Sequence, residues 1–189
     1  RDGFVNSALL YLEHFPYLNR LWFGEYFDYE GNDADFFLTE VSGIPFGLMG
    51  EMLEKGGNPW RGMLYGMTNR MPWSEDADPR PLWKAWDAFG MEGSRMVGYW
   101  AERPPVTTGR GDVPATVFTR VADRRALVAL ASWAPGDVSV PLAIDWGALG
   151  IDPARAQIEA PAIDRFQPAR RFAAGEPIPV ASGKGWLLV

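Results

Sequence analysis

Two short apolar runs, Arg20 to Gly24 and Gly62 to Thr68, are separated by a long stretch with helical spacing and no hairpin turn. Strands joined in this way are parallel, because a helical crossover carries the chain back to the same end of the sheet. Parallel strands are normally buried on both faces, and two alone cannot bury enough to form a stable sheet. The rhythm therefore predicts the last quarter of a (β/α)8 barrel, with six further strands preceding Arg1. Arg1 itself reads as a cut end, since no initiator Met or signal-peptide pattern comes before the helical sequence begins.

The helices follow from period and punctuation. Residues 6–15 place Ala8, Leu9, Tyr11, Leu12 and Phe15 on one face, with Asn6 or Ser7 as cap and Pro16 as stop. Helical spacing returns over 34–54 through Phe36, Phe37, Val41, Met49 and Met52, is broken at Gly43-Ile-Pro45, and ends at Gly56-Gly57. A further helix over 81–89 turns Leu82, Trp83, Trp86 and Phe89 inward.

After Trp100 the pattern becomes that of short strands at Ala115–Val121, Ala126–Trp133, Val138–Ile144, Gln157–Ala160 and Trp186–Val189. Asp123-Arg124 and Pro135-Gly-Asp137 supply turns between them. Val117, Thr119 and Val121 alternate with Phe118 and Arg120, which predicts half-buried antiparallel strands in a small β-sandwich. The expected organisation is thus barrel βα units over 1–104 and a sandwich domain over 105–189, without internal repeats.

Charge divides along the same line. Residues 1–105 hold 9 Lys and Arg against 16 Asp and Glu, and residues 106–189 hold 9 against 8, so neither part offers a nucleic-acid surface. All six Tyr and six of nine Trp fall in the first hundred residues, which places ligand binding there. With no Cys there is no disulfide, thiolate metal site or thiol nucleophile, and the single His14 lies in an apolar helical pattern. No cofactor and no metal are implied. The longest apolar run, Ala126 to Ala134, has nine residues where a membrane crossing needs about 20, so no membrane partner is expected. The compartment is left open; secretion or a periplasmic location would require a signal upstream of Arg1.

The candidate site is the acidic and aromatic cluster that follows the first strand, Leu21-Trp-Phe-Gly-Glu-Tyr-Phe-Asp-Tyr29. Sugars offer hydroxyls to carboxylates and weakly apolar faces to flat rings, so Glu25 and Asp28 beside Trp22, Tyr26 and Tyr29 supply both kinds of contact. Function in a barrel sits at the carboxyl ends of strands, which adds Asn69 and Arg70 after the second run. Trp60 and Trp73 are candidate sugar platforms. Glu25 can serve as acid, base or hydroxyl acceptor, and Arg70 can lower its pKa or bind an anion. Against this stands the reading of the aromatics as core and of Arg70 as an ion-pair partner of the acids at 75–78. The run Asp28, Glu30, Asn32, Asp33, Asp35 fails the calcium-loop pattern, since Asp33 stands where Gly is needed and Thr39 where a bidentate Glu is needed. It reads as a solvated acidic loop. Arg110-Gly-Asp112 reads as a turn before the first sandwich strand. That domain has no comparable aromatic cluster, and a packing role is expected for it.

Trp22-Phe-Gly-Glu25, the run Glu40-Val-Ser-Gly-Ile-Pro-Phe-Gly-Leu-Met-Gly-Glu51 and Gly57-Asn-Pro-Trp-Arg-Gly-Met-Leu-Tyr-Gly-Met-Thr-Asn69 together resemble the C-terminal part of large bacterial proteins similar to glycoside hydrolase family 123. Pro81-Leu-Trp83, Ala131-Ser-Trp133, Ile144-Asp-Trp146, Ala160-Pro-Ala162 and Gly183-Lys-Gly-Trp186 extend the resemblance through the closing helix and the β-domain. It implies a (β/α)8 catalytic barrel followed by an antiparallel β-domain, with a carbohydrate substrate. In the family the substrates carry terminal N-acetylgalactosamine, whose 2-acetamido group is the nucleophile while an adjacent Asp-Glu pair orients it and protonates the leaving oxygen. No Asp-Glu dipeptide occurs in this chain, so either the pair lies upstream of Arg1 or the family's chemistry does not carry over. The expectation is a C-terminal fragment of a glycoside hydrolase that supplies part of a sugar subsite. The alternative is a non-catalytic carbohydrate-binding or structural module.

Overall fold

The computed structural model describes residues 12–23, 27–52, 57–69 and 78–189, with the backbone alone for 21–23. The chain forms two compact units, Arg1–Pro79 and Arg80–Val189, so the division expected at 104/105 falls within the second.

In the first unit a 3-10 helix, Leu12–Tyr17, carries Pro16 inside it instead of stopping there; residues 6–11 of the expected helix lie outside the described residues. His14 is exposed beside Glu13, at 3.5 Å. Strand β1 is Arg20–Phe23. Helix α1, Ala34–Glu40, starts at Asp33, whose carboxylate accepts from the Phe36 amide at 2.7 Å.

The helix expected over 34–54 ends at Glu40. A 3-10 turn, Ile44–Phe46, and then strand β2, Met49–Met52, occupy the rest. The cause is local and tertiary together. Gly43 takes a left-handed φ of 73° that ends the helical path, and the returning chain passes so close that a Cβ on Gly50 would lie 2.2 Å from the Val41 carbonyl oxygen. Parallel pairing with β1, in register from Arg20↔Met49 to Phe23↔Met52, then overrides the helical spacing of the two methionines.

The strand expected over Gly62–Thr68 is instead a helix end followed by a turn. Helix α2, Pro59–Met63, begins at Asn58, whose side chain accepts from the Arg61 amide at 3.1 Å, with Pro59 in its first turn. A turn covers 64–66, and the chain is extended only toward Asn69, which forms a parallel bridge to Met52. Met63, Leu64, Tyr65 and Met67 are all buried, and continuous apolar content of that kind does not separate a strand from a buried helix end.

The second unit opens with helix α3, Arg80–Phe89, and strand β3, Arg95–Val97. Leu82 and Phe89 are its buried positions, whereas Trp83 and Trp86 are half-buried. There follow β4 (Val106–Thr107), β5 (Ala115–Arg120), β6 (Arg125–Ala131), β7 (Val138–Val140), β8 (Ala143–Ile144) and helix α4 (Trp146–Leu149). The last strands are β9 (Ile158–Ala160), β10 (Arg170–Phe172), β11 (Ile178–Val180) and β12 (Gly185–Leu188). A four-stranded antiparallel sheet, β12-β6-β5-β3, is joined by the antiparallel pairs β10-β9, β11-β7 and β4-β8.

Val106, Val117, Val128, Leu130, Val140, Ile178 and Leu188 share one core. Alternation in β5 predicted one wet face, yet Val117 and Phe118 are both buried, so the central strands are covered on both sides. The Arg110-Gly-Asp112 triplet closes on itself, with two hydrogen bonds of 2.8 and 2.7 Å between its charged ends. Among the described residues no helix is long and apolar enough to cross a membrane, and no cluster of acidic or histidine side chains is arranged to hold a metal.

Candidate functional site

Three parallel segments of the first unit end at one level. Phe23 pairs with Met52, Met52 bridges to Asn69, and the Met52 amide donates to the Thr68 carbonyl at 3.2 Å. β2, which was not expected from the sequence, therefore lies between β1 and the Asn69 segment. With strands about 4.8 Å apart, the Phe23 and Asn69 backbones are separated by roughly two strand spacings. Asn69 is buried, 5% exposed, at the edge of this row.

Glu25, Tyr26, Arg70, Trp73 and the side chain of Trp22 lie outside the described residues. Trp60 is half-buried on α2. Asp28 is exposed, but its Oδ1 accepts from the amides of Glu30 at 3.1 Å and Gly31 at 2.9 Å, so it builds the turn that follows β1. Tyr29 is no sugar platform: its ring is buried between Phe27, 5.0 Å away, and Phe37, 5.7 Å away. Phe37 in turn stacks on Tyr65 at 4.9 Å, and the Tyr65 hydroxyl donates to the Ala34 carbonyl.

The residue that sequence reasoning passed over is Arg61. It is 4% exposed, and its Nη1 donates to the carbonyls of Tyr29 at 2.5 Å and Glu30 at 2.8 Å. The Glu30 carboxylate stands 3.6 Å from the same nitrogen and accepts from the Asn58 side chain at 2.9 Å. Burial pushes the Arg61 guanidinium below its usual range, and the Glu30 charge acts in the opposite direction. Arg61 and Asn58 thus tie the loop after β1 to α2, the helix that leads to Asn69. The available sequence signal was Asn58-Pro59, a helix cap and first turn, with the arginine two positions on.

A second overlooked group is Glu40, at the C-terminal end of α1. One of its carboxylate oxygens is buried without a hydrogen-bond partner among the described residues, and burial raises its pKa. It stands at the wrong end for a barrel catalyst, beside the turn that leads into the start of β2. The helix dipole also disfavours a negative charge there. Because the folded state holds this proton more tightly than the unfolded chain does, stability falls as pH rises through the window between the ordinary and the raised value. Glu40→Gln is expected to raise the melting temperature at neutral pH and to flatten its decline above the ordinary carboxylate range. An unchanged melting temperature in pH-resolved thermal scans contradicts this.

No curated protein and no solved structure matches the chain. Two family models do: the TIM-barrel domain of glycoside hydrolase 123 over residues 1–72, and the C-terminal domain of glycoside hydrolase 123 over residues 78–189. The two matches meet where the chain divides into its two compact units, and with parallel segments in the first and antiparallel sheets in the second, this chain belongs to glycoside hydrolase family 123.

Proposed function

We propose that this chain is the C-terminal part of a glycosidase, that its first unit supplies the closing strands of a (β/α)8 barrel, and that their carboxyl ends form part of the sugar subsite. The observation that carries it is the parallel row Phe23, Met52, Asn69, which brings the ends of three segments side by side. Trp22, Tyr26 and Trp60 offer ring faces, while Asn69 and Arg70 offer hydrogen bonds to hydroxyls or to a substrate carbonyl. Asp28 shapes the loop that presents them. The principal acid and its partner belong to the N-terminal barrel portion, and Glu25 accepts from a sugar hydroxyl. The alternative is that Glu25 is itself the acid or base, with a second carboxylate about 5 Å away for retention or about 6.5–9.5 Å for inversion. The substrate carries a terminal N-acetylhexosamine. In the second unit, the four-stranded sheet and the smaller pairs form a β-sandwich that packs around one core.

Glu25→Gln in the full-length protein tests this. If Glu25 is itself the acid or base, kcat on an aryl N-acetylhexosaminide falls about a hundredfold or more. A fall well below that relegates Glu25 to binding.

One observation favours a non-catalytic glycan-binding module instead: Asp28 and Glu30, acids of the β1 loop, are both engaged in loop structure. In that case the full-length protein binds the sugar and releases none.

A further inference from the structure

The β-rich unit contains a cavity of about 350 Å³ between β6, α4 and the chain leading into β9. Its floor is apolar, with Val106, Leu149 and Leu188 fully buried, and its walls include Leu142, Ile144 and the half-buried Trp146. Three exposed arginines, Arg124, Arg125 and Arg155, line it as well. Its volume lies at the lower end of small-molecule sites, which run from about 300 to 1,000 Å³.

Arg110, Arg120, Arg165, Arg170 and Arg171 each stand against a carboxylate. None of Arg124, Arg125 and Arg155 does so among the described residues; Arg125 lies over the Phe89 ring at 5.4 Å. The acids nearby are occupied. Glu159, which lines the cavity, is held by Arg171 at 2.5 Å, and Asp145 and Asp152 accept from the backbone amides of Ala148 and Ala154.

Arg124 also takes a left-handed φ of 53°, a conformation that costs a side chain such as arginine roughly 1–2 kcal/mol and that Asn or Gly adopts readily. Arg165 takes a similar φ of 58° away from the cavity, so the turn alone marks nothing; what distinguishes Arg124 is its place with Arg125 and Arg155 around an apolar space.

We infer that this cavity binds a small amphipathic anion, an alkyl or aryl carboxylate whose apolar body fills the cavity and whose head meets Arg124 and Arg155. A sugar fits poorly, because the apolar walls would leave its hydroxyls unpaired. A neutral apolar molecule leaves the guanidinium groups unused.

The test titrates the full chain with octanoate and, separately, with octanol, followed by calorimetry and by amide NMR shifts. Octanoate is expected to bind at one site, about tenfold or more tighter than octanol, since a charge-assisted hydrogen bond is worth about that factor. Combining Arg124→Asn with Arg155→Gln should erase this tenfold advantage and leave octanol binding unchanged. The melting temperature should not fall, because Asn relieves the turn. Raising the salt from about 0.05 to about 0.5 M should weaken octanoate selectively in the unaltered chain, which keeps the test independent of any folding defect. Absence of saturable octanoate binding, equal affinity for octanol, or indifference to both the double variant and salt overturns the assignment. None of these readouts depends on glycoside hydrolysis.

Discussion

Replacing Arg61 by Met is expected to destabilise the first unit by about 3 kcal/mol, because it strips two carbonyls of their donor inside a closed cluster. Methionine keeps the length and the apolar stem. It loses the hydrogen bonds to the Tyr29 and Glu30 carbonyls and the charge facing the Glu30 carboxylate. Each unsatisfied buried group costs about 1–3 kcal/mol, and these two are adjacent. Lysine retains the charge but not the planar fork, so Arg61→Lys should recover only part of the loss. The effect is local first: amides of residues 30–32, which now donate to Asp28, should exchange with solvent about a hundredfold faster in Arg61→Met, as read by mass spectrometry. Unchanged exchange there would show that the loop holds itself. If the proposed subsite is correct, the same variant in the full-length protein raises KM more than it lowers kcat, since Arg61 touches the loop and not the reacting bond.

This dependence on Arg61 explains why part of the fold was legible in the sequence and part was not. β5 and β6 were readable because strand propensity and the Asp123-Arg124 turn agree with the local antiparallel pairing that forms. Met49-Gly-Glu-Met52 misleads because its spacing suits a helix while its backbone partner, β1, is remote in sequence. The run after Gly62 misleads in the opposite direction: the cap at Asn58 is a local signal, but the apolar content that follows looks the same for a buried helix end and a buried strand.

At the candidate site, residue types drew attention to the ends of β1 and of the Asn69 segment, and burial then divided the described residues among them. Tyr29 belongs to an aromatic cluster with Phe27 and Phe37, and Asp28 to a turn, roles set by neighbours that composition does not reveal. Arg61 was invisible for the same reason, since nothing in Pro59-Trp-Arg61 announces two carbonyl partners some thirty residues upstream.

Gly185→Ala is expected to be at least as damaging in the second unit, through steric exclusion and not through backbone freedom. A Cβ at Gly185 would lie 1.8 Å from the Leu130 carbonyl oxygen and 3.0 Å from the Ala131 Cα, and both are backbone atoms of β6 that cannot swing aside. The strand must move. β12 would have to separate from β6 at its first pair, Gly185↔Ala131, which loosens Leu187 and Leu188, both buried, and the Glu159 to Val189 backbone pair beyond them. Overpacking of this kind costs about 3 kcal/mol or more when backbone is the obstacle, equivalent to a fall in melting temperature of several degrees for a unit of this size. Gly175→Ala provides the contrast: its φ of 77° disfavours a side chain, but nothing lies within 4 Å, so only the modest conformational penalty applies. Thermal unfolding of the two variants side by side separates the causes. A Gly185→Ala protein that melts no lower than Gly175→Ala would mean that β12 reaches its place with room to spare, and the close packing of the last strand against β6 would have to be abandoned as the clamp that closes this unit.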